Sequence, residues 1–484
     1  MASRKPGFPA ASVAAVAGAV ALALATTALA QAPAKLDDPS APLREAARTM
    51  QRNDLLTLYR QALDNDSQYA AAKAQFLATL EREPQARSAL LPSLGLGANV
   101  YQYRPDISNE VYQTDLQGNV IGTRDINVSN PYNSYGGGLS LSVPVYRPQN
   151  WEALEQAKLV VAQGESVLAQ ARQDLALRVA SAYFTVLAAR DQVTALEVQK
   201  ESTLQQLAQA KREFEVGTKT IVDQNEAQAR YDQIVAALQV AVGTLLVRRN
   251  ELTAIVGRDP QVLADLVDNP KLELPRPNEI GNWVKAAEDV NYGVQVARAN
   301  SEIATREIQR ARDGYKPTLD LVAGYNVSRA TGNTLNGLNT SSNVGNVGLL
   351  LNVPLYTGGL TQSRVREAVA LQDKSLSDLE TARRSAANAA RAAFTGVNYG
   401  LAQVQALESA ERSARTQLES TQLGYRVGVR IQLDVLNATT QLVGTQRDLK
   451  KARYDFLLSG LNLKASTGAL TEDDLRAVNA LLVK

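Results

Sequence analysis

The side chains available for chemistry in this chain are carboxylates, lysines, hydroxyls and phenols, because its 484 residues include no Cys and no His. That removes disulfides, thiol nucleophiles, Cys/His zinc and iron–sulfur sites, Ser-His-Asp and Cys-His catalysis, and any imidazole titrating near neutral pH. An enzyme would have to work through paired acids such as Asp37-Asp38 or Asp473-Asp474. Both pairs fall in segments expected at the surface, and no Gly-rich phosphate loop or metal-ligand box accompanies them. No enzyme, metal or cofactor is therefore expected. Charge excludes nucleic acid as a partner: 51 basic against 49 acidic residues leaves +2, too balanced for that footprint and far from a disordered polyelectrolyte. Aromatics at 5%, in a chain rich in Ala, Leu, Val, Gln and Arg, point to long helices packed through small side chains.

Residues 1–30 carry a basic start (Arg4, Lys5), an apolar run from about Ala10 to Leu29, and Ala28-Leu29-Ala30 before Gln31. This is the pattern of a cleaved secretory signal peptide. Its removal leaves 49 residues of each sign, and with no Cys a lipid-anchored N-terminus is excluded. No other run approaches the roughly 18 apolar residues of a membrane helix, so membrane contact would have to come from a β-barrel or from the surface.

The elements that must position any site are written twice. Ser142-Val143-Pro144-Val145-Tyr146 recurs as Asn352-Val353-Pro354-Leu355-Tyr356 at an offset of 210. Val216-Gly217 recurs as Val427-Gly428, Asp223 as Asp434, Ala227 as Ala438, Leu252 as Leu463 and Gly257 as Gly468, all at 211. Upstream, Leu91-Pro92-Ser93-Leu94 resembles Lys316-Pro317-Thr318-Leu319 at 225, so the first copy carries a loop 15 residues longer. Between these landmarks the hydrophobic period changes. Leu94, Leu96, Ala98 and Val100 alternate with Ser93, Gly95, Gly97 and Asn99, and the stretches ending in Val145, Tyr325 and Leu355 alternate likewise. Each copy is thus expected to hold two strands. The pattern suits a membrane strand with a lipid side and a wet side, and equally a soluble hairpin sheet with one solvated face.

Pro-free stretches follow each strand pair. Leu175, Val179, Ala182, Val186, Ala189, Val193 and Leu196 step by alternating four and three, and 211 residues later the same seam is mostly Ala, Val and Gly. Gly217 and Gly428 are expected to end the outgoing helices in the left-handed conformation, with Asp223 and Asp434 in the first turns of the return helices. An outgoing helix over about 151–215 spans roughly 98 Å, whereas the return over about 220–256 spans only roughly 55 Å. The return therefore needs a second helix stacked on it. The segment about 282–313 is expected to serve the first copy and the N-terminal helix, about 53–90, the second, so that the duplication closes on itself like a ring. Residues 258–282, with Pro260, Pro270, Pro275 and Pro277, read as a linker that forms an equatorial belt with the tail. The expected division is a signal at 1–30, a first repeat at 31–257, the linker at 258–282, a second repeat at 283–468 and the tail at 469–484.

Four strands cannot close a barrel, and an open sheet edge is not viable in hydrocarbon. Two protomers would give eight strands with a filled interior; three give twelve and a lumen. The fold class expected is mostly α with a membrane β-barrel: two tandem β-β-long-helix-hairpin repeats whose sheet closes by oligomerisation above a long sleeve of helices.

The residues that carry this pattern also carry a family resemblance. Ala86-Arg87-Ser88-Ala89-Leu90-Leu91-Pro92 before the first strand, the two Val-Pro-x-Tyr strand ends, and Tyr425-Arg426-Val427-Gly428-Val429-Arg430 at the second tip resemble the TolC-type outer-membrane channel family over about 53–468. The resemblance implies a passive homotrimeric exit duct, as a trimer a 12-stranded barrel joined to an α-helical periplasmic tunnel, in the outer-membrane lipid, projecting into the periplasm and serving type I secretion, drug efflux or both. It implies a periplasmic adaptor (a membrane fusion protein) and an inner-membrane pump as partners, and no cofactor. It implies further that Asp223, Tyr425 and Arg430 form the periplasmic gate. Asp434 matches the family's selectivity ring, where this chain departs from the pattern by having Asn437 in place of a second Asp. The alternative is a soluble periplasmic coiled-coil adaptor or scaffold with a small sheet.

Overall fold

In a computed structural model of the chain, residues 53–218, 220–332 and 338–483 are described. The expected signal peptide and the Asp37-Asp38 pair lie outside them. The N-terminal helical segment is three pieces, α1 (Leu55–Asn65), α2 (Ser67–Leu80) and α3 (Arg82–Ser88). Asp66 makes the first break. It caps α2 by accepting from the Tyr69 N–H at 2.7 Å, so the helix restarts where an aspartate can satisfy its free donors. The first repeat then holds four strands rather than the two expected: β1 (Ser93–Tyr103), β2 (Ile107–Thr114), β3 (Val120–Val128) and β4 (Tyr132–Tyr146). The longer loop is itself a hairpin. β2 and β3 pair only with each other, around a turn in which Asp115 accepts from the Gln117 and Asn119 N–H groups and Gly118 takes φ +87°.

After β4 come α4 (Pro148–Glu215) and its return α5 (Ile221–Val256). The second repeat runs α6 (Ile280–Val290), α7 (Tyr292–Arg312), β5 (Thr318–Ala330), β6 (Thr340–Asn352), α8 (Leu360–Arg426) and α9 (Gln432–Ser466), followed by the short α10 (Glu472–Asn479). The segment expected as one helix before β5 is broken at Asn291. Its side chain accepts from the Gly293 and Val294 N–H groups and donates to the Ser466 carbonyl. No helix of the described residues is long and apolar enough to cross a membrane.

The main sheet is antiparallel in the order β1-β4-β5-β6. Its register sets apolar against apolar: Leu94 faces Leu141, Leu96 faces Leu139, Leu321 faces Leu349 and Ala323 faces Val347. These side chains point away from any core of the protomer; Leu94, Leu96 and Leu349 are 72%, 80% and 67% exposed. The largest core lies instead at the level of the linker. There Leu175, Val179, Tyr183, Phe184 and Leu187 of α4 meet α1, the end of α9, Leu263 and Ala264 of the linker, and Leu475 and Val478 of α10. The linker and tail bridge at Leu266 and Leu482.

Each return helix stacks on a second helix, but not on the one expected. α5 ends at Gly257 (φ +84°), where an added Cβ would lie 2.7 Å from the Cβ of Asn65, at the α1–α2 break. α9 ends before Gly468 (φ +71°), where an added Cβ would lie 2.9 Å from the Val290 carbonyl oxygen, at the α6–α7 break. Thus α5 continues into α2 and α9 into α7, each within its own repeat, and the ring closure expected from lengths is corrected. The two candidate partners are similar in length, so rise per residue could not discriminate between them.

Candidate functional site

The two hairpin tips are built on one backbone. At the first, the Thr218 N–H donates to the Glu213 carbonyl at 2.8 Å and the Gly217 N–H to Phe214 at 2.9 Å. At the second, Val429 donates to Gly424 at 2.9 Å and Gly428 to Tyr425 at 3.0 Å. Gly217 and Gly428 take φ of +77° and +80°, the left-handed residue that closes this helix-ending motif.

The side chains that start the return helices differ. Thr220 and Asp223 form a reciprocal box. The Asp223 carboxylate accepts from the Thr220 N–H at 2.9 Å and from its hydroxyl at 2.8 Å, and the Asp223 N–H donates back to Thr220 Oγ1 at 3.3 Å. At the second tip the equivalent position is Ile431, which has no oxygen to offer. Asp434 alone accepts from the Ile431 N–H, at 3.3 Å. Val427, Val429 and Ile431 are exposed there, as are Val216 and Val222 on the first tip.

Arg430 reaches Asp434 at 3.8 Å on the protein's surface. The close approach of its side chain depends on Gly424, where an added Cβ would lie 2.8 Å from Arg430 Cγ. Tyr425 is held from the other repeat: Gln209 on α4 donates to its hydroxyl at 2.6 Å and to Glu213 at 2.8 Å. Asp223, Gln209, Glu213, Glu226, Arg230 and Gln432 line one pocket between the two hairpins. Asn437 lies exposed on α9. Gln209 was not visible in the sequence, because its contact joins the two repeats rather than recurring in both. The Thr220-x-x-Asp223 spacing was a readable cap signal.

A second polar cluster ties the repeats together nearer the linker. Asp191 of α4 is buried and accepts from Lys450 Nζ at 2.9 Å and from the Tyr454 hydroxyl at 2.8 Å, both on α9. Burial, and then the neighbouring Asp191 carboxylate, pushes the Tyr454 phenol far above its ordinary range. Arg453 bonds Glu408 at 2.9 Å and the Asp268 carbonyl. The Asp473-Asp474 pair serves α10: Asp474 accepts from the Thr471 N–H and Lys464, and Asp473 from Arg476. Among the described residues no group of three or more acidic side chains is placed to hold a metal ion.

The family model for outer membrane efflux proteins matches residues 58–258 and 283–469. The chain is 33% identical over 445 residues to the outer membrane protein TolC of Vibrio cholerae, covering 91% of this chain and 96% of that one. It is 32% identical to the alkaline protease secretion protein AprF of Pseudomonas aeruginosa, covering 89% and 87%. In fold it is similar to the CmeC outer membrane channel of Campylobacter jejuni, with a TM-score of 0.71, 16% identity and 90% of each chain covered.

Proposed function

The chain belongs to the outer membrane efflux protein family and is an outer-membrane duct for secretion and efflux; from that premise we propose how it is assembled, closed and opened. Three copies close one barrel of twelve strands, each protomer supplying β1, β4, β5 and β6. The observation that carries this is a sheet with two unpaired edges, β1 and β6, whose apolar face is largely exposed. In hydrocarbon such edges must pair, and β1 of one copy and β6 of the next run in the antiparallel sense that allows it. A soluble adaptor would leave Leu94, Leu96 and Leu349 in water, a penalty that lipid removes.

Below the barrel the helices form a tunnel, with α4 spanning roughly 102 Å. The duct carries out no chemistry; its cargo is selected by an inner-membrane pump and a periplasmic adaptor, and protein cargo is in keeping with two relatives named for protease secretion. The chain divides into a signal at 1–30, repeats at 31–257 and 283–468, a linker at 258–282 and a tail at 469–484.

The tips are the gate. Asp223, Tyr425 and Arg430 latch the hairpins of the assembled trimer, and Gln209 adds a tie on Tyr425. Support comes from the Gln209–Tyr425 bond between repeats and from the shared tip pocket. An Arg–carboxylate link across the closed end would be charge-assisted and directional. Arg430→Ala combined with Asp223→Ala is expected to raise the time-averaged single-channel conductance in planar bilayers by about tenfold, as a tenfold higher open-to-closed ratio, roughly 1.4 kcal/mol of lost closure, would produce. Unchanged conductance of the double variant would sink the latch. Detergent extraction at a mass near three chains tests the assembly independently.

A further inference from the structure

The polar face of the main sheet carries a pattern that the gate does not use. Three asparagines on it each face a glycine of the neighbouring strand: Asn99 faces Gly136, Asn326 faces Gly138 and Asn346 faces Gly324. A Cβ added at Gly136 would lie 2.6 Å from Asn99 Oδ1, and one at Gly324 would lie 2.8 Å from Asn346 Oδ1. At Gly138 it would overlap Asn326 Oδ1 outright. The amides therefore fill the space that a side chain on the neighbouring strand would take, and they lie along the wall instead of projecting from it.

Register places the three pairs on successive rungs, whose other members on this face are Gly, Ser and Val344. Among the described residues of the four strands, the charged side chains are Asp320 and Arg329. Arg329 pairs with Tyr135, on the apolar side. Asp320 sits on the polar face, at the end nearest the helices, with both carboxylate oxygens held by Arg147 at 2.7 and 2.6 Å. The face between that ion pair and the outer rim carries no fixed charge.

We propose that these rungs are the permeation surface of the barrel, an amide and hydroxyl lining that passes anionic and cationic cargo alike and leaves charge selection to the helical end. Each Asn amide both donates and accepts, so it can solvate either sign, and with no carboxylate in the wall an anion meets no repulsion within a Debye length of about 8–10 Å. This rests on the reading of the sheet as one third of a barrel in lipid.

The absence of native cysteine makes the test direct. Asn99→Cys, Asn326→Cys and Asn346→Cys trimers in lipid nanodiscs are treated with anionic and with cationic methanethiosulfonate reagents, each rate normalised to free cysteine. Leu96→Cys and Leu349→Cys serve as lipid-side controls. The two normalised rates should agree within about threefold at the asparagine positions, with the leucine positions silent. Adding Asn326→Asp to Asn99→Cys should then favour the cationic reagent by about tenfold, because a ring of carboxylates stands one rung away. A cationic or anionic preference of about tenfold without that Asp, no labelling at the asparagines, or no response to the Asp overturns the proposal. Equal labelling at the asparagine and leucine positions instead overturns the barrel reading on which it rests.

Discussion

The two hairpin tips end their outgoing helices on the same backbone and begin their return helices with different side chains. Three hydrogen bonds at offset 211 agree within a few tenths of an ångström, and the left-handed glycines are superposable in φ. Yet the first return helix starts on a Thr220/Asp223 box, whereas the second starts on Ile431 with one carboxylate contact at 3.3 Å. The same contrast appears at the helix breaks nearer the linker. Asp66 is locked by a bidentate Arg178, with both distances 2.9 Å, while its counterpart Asn291 makes neutral bonds only. Duplication has kept the backbone geometry and let the polar anchoring diverge, so the first repeat is the more firmly pinned of the two. That asymmetry suits a tube in which one set of hairpins holds position while the other swings.

The breaks give the largest expected difference. Asp66 is buried against a half-buried Arg178, so Asp66→Ala leaves a guanidinium without its partner and should cost about 3 kcal/mol. Asn291→Ala removes neutral caps and should cost about 1 kcal/mol. The two should also differ in pH dependence. Burial alone would raise the Asp66 carboxyl, but Arg178 and the Tyr69 N–H outweigh it and hold the group below the ordinary aspartate value of 3.8. A depressed carboxyl contributes its full stability above that unfolded value, and the contribution is lost as pH falls through the lower, folded one. Urea unfolding of the purified protein followed by circular dichroism reads both effects. Equal costs for the two variants, or a difference between wild type and Asp66→Ala that persists undiminished at the lowest pH, would break the comparison.

How much of this was readable beforehand follows the range of each interaction. The duplication, the alternating strands and the left-handed tip glycines are local patterns, and single residues such as Gly217 carry them. The α2 break at Asp66 is also local, an Asx cap inside a helical composition, but it was hidden because helix period continues on both sides of it. The β2–β3 hairpin is not legible in the sequence because Val111-Tyr112 and Val120-Ile121 are mixed with Glu110, Arg124 and Asp125, which blur the alternation. The stacking of α5 on α2 and of α9 on α7 depends on three-dimensional proximity between residues some 190 apart, such as Asn65 and Gly257, and no length argument contains that information. The Gln209–Tyr425 tie joins the two repeats and has no counterpart to reveal it.

The tips give the next effect in size. Thr220→Ala should cost about 1 kcal/mol of local helix stability, because the box loses the hydroxyl that bonds the Asp223 N–H and carboxylate. The reciprocal change, Ile431→Thr, supplies the missing oxygen at the second tip and should gain up to about 1 kcal/mol there. If the less anchored second tip is the moving part, Ile431→Thr should make spontaneous opening in bilayers about fivefold rarer, and Thr220→Ala should alter it less. Opening that responds to Thr220 and ignores Ile431 would assign the motion to the first repeat instead.

The smallest effect, and the one that isolates charge from packing, is expected at Asp434. Asp223 and Asp434 occupy the same position of the two repeats, but the Asp223 carboxylate accepts two bonds from Thr220 while Asp434 has a long contact to Arg430 and a weak bond from the backbone. Asp434 is therefore the less neutralised carboxylate within its own tip. Three copies around a narrow axis would favour cations, and Asn437, one turn further along α9, adds hydrogen-bonding capacity without a second ring of charge. Asp434→Asn keeps the shape and an oxygen for the Ile431 N–H while removing that charge. The reversal potential under a salt gradient should move to that of an unselective pore, with little change in stability. Asn437→Asp should move it the other way and bring block by divalent cations, since two stacked carboxylate rings would then present oxygens to one ion. A reversal potential unmoved by Asp434→Asn would mean that the selective charge lies elsewhere in the tube and that this carboxylate of the second tip is only an early-helix residue favoured by the helix dipole.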